Sequence, residues 1–396
     1  MQTWQKLKKD PSLWDQYFVR EKTIKALRLF FDAQNFHEVE TPTLLMHPPA
    51  ESYVEVFETI LLDRKRNKNQ AYLSTSPEVA LKKLLVAGIG NCYSITKSFR
   101  NTEGESDVHQ PEFTILEWYR VGADYKTIMT DCEKLLLFLI HTVQKEKPTP
   151  SKVTIHKLTK DCLSERSEES RSFGFQPQDD IVLPTPKWLP SKLLQTPPDS
   201  SKIVYQNQTI DLMPPWPRMS VKEAFQHYAN VDLETFFTIE NAQEICKNKG
   251  YTVTAANTWE ELYNQIFLNE IEPYLGKEKP IILYDFPSCM AALAKKREAD
   301  PRYAERFEFY IGGLELGDCY TELTDWQEQK SRFDEEIKEI KRLGKTSYDY
   351  DHDFIEALKI GLPPSSGIAI GVDRLIMLLA NVPSIQDILF FPLHSV

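Results

Sequence analysis

Residues 98 to 120, SFRNTEGESDVHQPEFTILEWYR, are two apolar stretches around a loop that carries Arg100, Glu103, Glu105, Asp107 and His109. Such runs read as paired strands. A second pair follows in RFEFYIGGLELGDCYTEL, where Gly312 and Gly313 supply the left-handed residues of a tight hairpin turn. With the strand-like PIILYDFP and GIAIG, these pairs predict an antiparallel sheet whose helices are bunched between strands, an α+β domain rather than a βαβ alternation. No internal repeat interrupts a single domain over 1–396.

Ahead of the first pair, Ser12 stands where a helix cap is needed, and Ile24, Leu27, Phe30 and Phe31 recur at helical spacing. FHEVETPTLL is extended, because Pro42 stops a helix and suits a strand edge. QAYLSTSPEVALKKLLVAG reads as a short strand, a Ser/Pro helix start, and a helix through Leu81, Leu84 and Leu85 closed by Gly88. Residues 145–218 turn rich in Pro and Ser and predict a loop-like or partly disordered insertion with one short strand, KIVYQNQTIDL. Residues 219–276 predict a helical insertion with Trp259, Leu262, Ile266 and Phe267 on one stripe. The last helix, VDRLIMLLA, should stop at Pro383.

Bulk properties narrow the function. No run approaches the roughly 18 apolar residues of a membrane span, and MQTWQKLKKDPSLWD has no apolar signal core, so a cytoplasmic protein is expected. The six cysteines stand singly, with no CxxC pair, which argues against zinc. A net charge of -11 opposes a purely electrostatic grip on nucleic acid.

Three constellations could carry chemistry. A strand period of two puts Phe113, Ile115, Glu117 and Tyr119 on one face. A ring for a nucleobase and a carboxylate then lie roughly 13 Å apart, about the reach from adenine to the far side of the α-phosphate, with Arg100 projecting between them. The plain alternative is a solvated loop; carboxylates within the strand, however, need partners if the sheet is covered. The second cluster, Glu315, Asp318, Glu322 and Asp325, has the oxygen ligands magnesium prefers. Glu315 and Glu322 are seven apart and point to opposite faces unless a bulge near Gly317 and Asp318 changes the register. In the third, SSGIAIGVDRLIMLL, Gly367 and Gly371 allow close backbone approach to a flat ligand, and Arg374 could point back over it. The phosphate-loop and dinucleotide glycine patterns are both absent.

In chain order, FHEVETPTLL, SFRNTEGESDVHQPEFTILEWY and GIAIGVDRLIML resemble motifs 1, 2 and 3 of the class II aminoacyl-tRNA synthetases, the second in its lysine, aspartate and asparagine form. TSPEVALKKLLVAG, FEFYIGGLEL and YTELTD look most like lysyl-tRNA synthetases. Those enzymes place an anticodon-binding OB domain ahead of motif 1, which here begins at about residue 36. The resemblance therefore narrows to the stand-alone elongation factor P lysine ligases, which MAALAKK, DFIEALKIGLPPSSGIAIGVDRL and Ala369, in place of a synthetase glycine, also resemble.

That resemblance implies a class II catalytic fold without the OB domain, a homodimer, and ATP with magnesium. It implies activation of (R)-β-lysine or lysine as an adenylate and transfer to a lysine of elongation factor P, with tRNA not expected as a partner. By position, Arg100 would bind the α-phosphate, Phe113 and Arg374 would sandwich adenine, His109 would reach the terminal phosphates, and Glu103, Gln110, Leu316 and Gly371 would complete the nucleotide site. Glu315 and Glu322 would hold magnesium. Ser76, Pro77, Glu78, Glu117, Tyr119, Asp318, Glu322 and Ala369 would bind the amino acid. Thr102 stands where the family has a glutamate, Gln110 replaces an asparagine, and Asp318 and Cys319 replace an asparagine and a small residue. Two alternatives stand beside this reading: the same activation with another acceptor, tRNA or a small amine, and a non-catalytic amino-acid-binding paralogue.

Overall fold

The computed structural model describes residues 2–102, 104, 106–145 and 201–393. Glu103 and most of the Pro/Ser-rich insertion lie outside the described residues.

Eight strands form the main sheet, in the order His37–Glu38 (β1), Cys92–Phe99 (β5), Glu112–Val121 (β6), Ser365–Gly371 (β13), Leu314–Thr321 (β12), Arg306–Ile311 (β11), Ile281–Tyr284 (β10) and Arg218–Ser220 (β9). Only the outermost pairs, β1 with β5 and β9 with β10, are parallel. The five inner pairs are antiparallel, as two hairpins and a returning strand require. Leu44–Leu45 (β2), Lys68–Leu73 (β4) and Glu58–Leu62 (β3) make a small second sheet. Lys202–Tyr205 (β7) and Gln208–Asp211 (β8) make a hairpin. KIVYQNQTIDL is thus two strands, because Gln206 and Asn207 both take positive φ and turn the chain.

Alternation in β6 divides the molecule. Leu116 and Trp118 are fully buried on one face. They pack with Leu27, Phe30 and Phe31 of Trp14–Asp32 (α2), Leu135 and Leu139 of Tyr125–Lys145 (α4), and Leu375 and Ile376 of Val372–Ala380 (α11). Phe113, Ile115, Glu117 and Tyr119 face the other way and line a cleft. The α2 stripe is where the spacing puts it, but Asp10, not Ser12, caps the preceding turn, accepting from Ser12 N at 3.0 Å. Chain ahead of it forms a short helix, Thr3–Lys9 (α1). Helix α11 ends at Asn381, whose φ of 52° closes it two residues before Pro383.

Beyond β9 and β10, Val221–Ala229 (α5), Leu233–Phe236 (α6), Ile239–Asn248 (α7) and Trp259–Ile266 (α8) build a second core on Leu262, Ile266 and Phe267. On the cleft side, Glu78–Val86 (α3), Trp326–Arg342 (α9) and His352–Gly361 (α10) share a third core around Leu81, Phe333 and Phe354. Helix α9 also anchors the loop before β3, where Ser52 N donates to Glu336 Oε2 at 2.6 Å.

Candidate active site

The cleft has a volume of about 340 Å³ and lies over the centre of the sheet, walled by β6, β12 and β13 and closed at one end by α3. One residue of irregularity assembles it. In the β11–β12 hairpin Phe309 pairs with Gly317 and Tyr310 with Glu315, so Leu316 is an extra residue. This bulge turns Glu315 onto the face shared by Asp318 and Tyr320. A change of register is expected near Gly317 and Asp318 if Glu315 and Glu322 share a site; it falls one residue before Gly317.

At the open end, the Arg100 guanidinium lies 5.3 Å from the Phe113 ring centre. Arg374 donates to the backbone oxygen of Val108 at 3.2 Å and to that of Glu315 at 2.9 Å, and its Nη2 lies 2.6 Å from His109 Nε2. Arginine can only donate, so His109 Nε2 accepts and the ring proton sits on Nδ1, 3.1 Å from Ser106 Oγ. Gln110, Leu316 and Gly371 line this same end. Behind them, Asp373 accepts from Thr114 N at 2.7 Å and pairs with Arg20, clamping α2, β6 and α11 together. Gly371 has no steric need to be glycine, since a Cβ there would meet only the Arg374 side chain, at 3.8 Å. At Gly367 a Cβ would come within 2.2 Å of the Tyr119 ring, so the protein's own packing, and not a flat ligand, demands that glycine.

The closed end is acidic. Glu117 is 2% exposed and accepts from Ser76 Oγ at 2.6 Å and from the Tyr119 hydroxyl at 3.2 Å. Burial, and then the charge of Glu78, push its carboxyl up to about 8. Glu78 accepts from the Tyr320 hydroxyl and pairs with Lys82, one helical turn along α3. Lys82, 1% exposed, also pairs with Glu322. Burial disfavours the Lys82 charge, but Glu322 and Glu78 together outweigh it and raise the ammonium above its ordinary value. Burial pushes Glu322 up to about 8 against the pull of Lys82.

Beside this end, Arg306 donates to Asp318 Oδ1 at 2.9 Å, to Glu308 Oε1 at 2.6 Å and to the Met290 carbonyl at 2.6 Å. The extra acid at position 318 is therefore balanced inside the protein. Glu308 is pushed up to about 8 by burial and by its neighbours Glu315 and Asp318. Ala369 lines the cleft directly opposite Asp318 in the β12–β13 register.

Arg100, His109, Gln110, Phe113, Glu315, Leu316, Gly371 and Arg374 therefore meet at one end, and Ser76, Glu78, Glu117, Tyr119, Asp318 and Ala369 at the other. Two residues stand apart. Pro77 precedes α3 without lining the cleft, and Glu322 lies behind its wall. Glu315 and Glu322 do not fit as a magnesium pair, because Glu322 is committed to Lys82 while Glu315 faces Arg374 at 3.4 Å. Among the described residues no group of three or more His, Cys, Asp or Glu is placed to hold a metal.

Several lining residues were not singled out in the sequence. Glu51, buried and raised by burial to about 7, and Tyr53 reach the cleft from the loop before β3. Tyr320 lines its far end, with the Lys82 and Arg306 cations behind, paired to the acids of the wall. The i,i+4 spacing of Glu78 and Lys82 was the one available signal.

A cleft walled by the motif 2 and motif 3 strands with β12 between β13 and β11, and closed by a helix start, defines a catalytic domain of the class II synthetase type. The family described as tRNA synthetases class II (D, K and N) matches residues 3–395, and the chain belongs to it. Within that family, a lysine–tRNA ligase of Pelotomaculum thermopropionicum is 31% identical over 389 residues, and one of Bacillus subtilis is 32% identical over 383. A third, from Moorella thermoacetica, is 30% identical over 388 residues. Each alignment takes in 97% of this chain and 64% to 66% of the relative, so the chain spans about two-thirds of their length. Among the described residues no helix is long and apolar enough to cross a membrane.

Proposed function

We propose that the chain activates lysine or (R)-β-lysine with ATP as an aminoacyl-adenylate and passes the acyl group to a lysine side chain of elongation factor P. The observation that carries the activation step is the charge at the closed end. Three carboxyl groups, Glu78, Glu117 and Glu322, lie around one cation, Lys82, and burial raises Glu117 and Glu322 to about 8, so this end has more acids than its one cation can balance once they ionise. A diamino acid brings two ammonium groups to that end, where charge-assisted hydrogen bonds are strongest. Its carboxylate is then directed toward Arg100 and Phe113 at the open end.

A carboxylate oxygen attacks the α-phosphorus of ATP, the bond to pyrophosphate breaks, and the mixed anhydride forms. Arg100 offsets the charge that develops on the phosphate, and Phe113 offers its ring face to adenine. The acceptor amine, ordinarily of pKa about 10.4, must first give its ammonium proton to water; the free amine then attacks the acyl carbon, AMP leaves with the bonding pair, and the second proton is lost from the new amide nitrogen. Positioning and electrostatics do the work, and no covalent enzyme intermediate is required.

Ala369 opposite Asp318 supports a reshaped amino-acid pocket of the kind a β-amino acid needs. Exposed Leu44, Ile60, Leu61 and Leu62 on the small sheet support assembly as a homodimer. The relatives' names favour a second reading with tRNA as acceptor. Labelled (R)-β-lysine or L-lysine, ATP and the purified protein, offered elongation factor P or deacylated lysine tRNA in turn, separate the two. Label on the protein acceptor supports the first; label on tRNA alone refutes it.

A further inference from the structure

Beside the cleft stands an almost wholly buried lysine to which no step of the proposed chemistry gives a role. Lys82 is 1% exposed, with its Nζ between Glu78 Oε1 and Glu322 Oε2 and 5.2 Å from the centre of the Tyr320 ring. The Tyr320 hydroxyl donates to the same Glu78 oxygen. Gly367, which lines the cleft, lies against Glu322: a Cβ built on that glycine would be 2.9 Å from Glu322 Oε1. One cation thus joins a carboxylate on the cleft wall to another just behind it.

A lone buried lysine is costly, and so is a lone buried carboxylate. A core built for stability alone would fill this volume with apolar side chains. A fixed ammonium holding one oxygen of each glutamate instead fixes where the remaining oxygens point: Glu78 at the wall and Glu322 Oε1 against Gly367. We propose that Lys82 is the positioning residue that sets specificity for a substrate with a second amine, by orienting Glu78 and Glu322 and fixing the charge of the closed end. This rests on the reading of the cleft as a site for a lysine-like amino acid.

The consequence is selective. Without Lys82, recognition of the distal ammonium should fail, while the nucleotide end, built on Arg100, Phe113 and Arg374, should be unaffected. The test compares lysine with norleucine, which lacks only the distal amine, in ATP–pyrophosphate exchange by the full chain. In Lys82→Met the ratio of kcat/KM for lysine over norleucine should fall at least ten-fold, with the KM for ATP unchanged. A purely structural lysine would weaken both substrates and ATP alike, leaving the ratio intact, and that result overturns the proposal. Should Lys82→Met not fold, Lys82→Arg keeps the charge but cannot place a planar fork at the same point. Its ratio should fall at least three-fold, and an unchanged ratio overturns the proposal equally. If the wild-type chain itself does not prefer lysine to norleucine, the lysine reading fails, not merely the role of Lys82.

Discussion

Replacing Gly367 by alanine adds one methyl group where β13 crosses the acidic end of the cleft. The new Cβ would lie 2.2 and 2.5 Å from two carbons of the Tyr119 ring and 2.9 Å from Glu322 Oε1. Carbon atoms pack at roughly 3.5–4.0 Å, so ring and strand must separate by more than an ångström. Neither yields readily: Tyr119 is 3% exposed and bonded to Glu117, and Gly367 lies between Tyr119 on β6 and Tyr320 on β12 in the sheet register. Overpacking of this kind costs about 1–3 kcal/mol. The strain falls on Tyr119 and Glu117, so the KM for the amino acid should rise at least ten-fold while that for ATP stays within two-fold. Chemical denaturation and exchange kinetics measure both effects. A Gly367→Ala protein as stable as wild type, with an unchanged amino-acid KM, would refute the packing argument.

Other perturbations follow from the same geometry. Glu117 holds its proton to about pH 8 in the empty site and must release it to accept an ammonium, so lysine binding should tighten as pH rises toward 8, a slope that calorimetry detects and Glu117→Gln removes. Because Glu117, Glu308 and Glu322 all have raised values, their contribution to stability is present at low pH and lost as pH rises through about 8. The free protein should therefore melt earlier at about pH 9 than at about pH 6, with bound lysine narrowing the gap. Arg100→Ala should lower the exchange rate by about 10²–10³, the usual cost of losing one transition-state donor, without shifting the melting temperature. Arg306→Met strands Asp318 and Glu308 together and should cost about 3–5 kcal/mol in denaturant titrations. Asp318→Asn leaves Arg306 its bonds to Glu308 and Met290 and should cost about 1 kcal/mol or less.

What was legible in the sequence was whatever depends on short-range pattern. The alternation of EFTILEWYR assigned Phe113, Glu117 and Tyr119 to one face before any partner strand was known. A bulge was required only if Glu315 and Glu322 served one site; Leu316 makes one, yet Glu322 does not line the cleft. Contacts between distant segments were not legible. Lys82 reads as a solvated member of an i,i+4 pair until Glu322, 240 residues later, encloses it. Asp318 groups in the sequence with Glu315, Glu322 and Asp325 and is expected at the amino acid, while Arg306 reads only as a strand residue, because only the hairpin register sets the two side by side. Glu322 was expected at the cleft with a metal, and the same enclosure by Lys82 accounts for its place behind the wall. Helices α9 and α10 were missed outright; α9 carries apolar residues such as Phe333 too sparsely among its charges to stand out, whereas Phe354, Ile355 and Leu358 of α10 do stand at helical spacing.

Lysine-dependent ATP–pyrophosphate exchange by the purified full chain, run with L-lysine, (R)-β-lysine, (S)-β-lysine and norleucine and with Arg100→Ala as control, tests the central claim most directly. Exchange should proceed with L-lysine or (R)-β-lysine, far more slowly with norleucine, and about 10²–10³ more slowly in the variant. Exchange with none of the four, or equal exchange with norleucine, would contradict it.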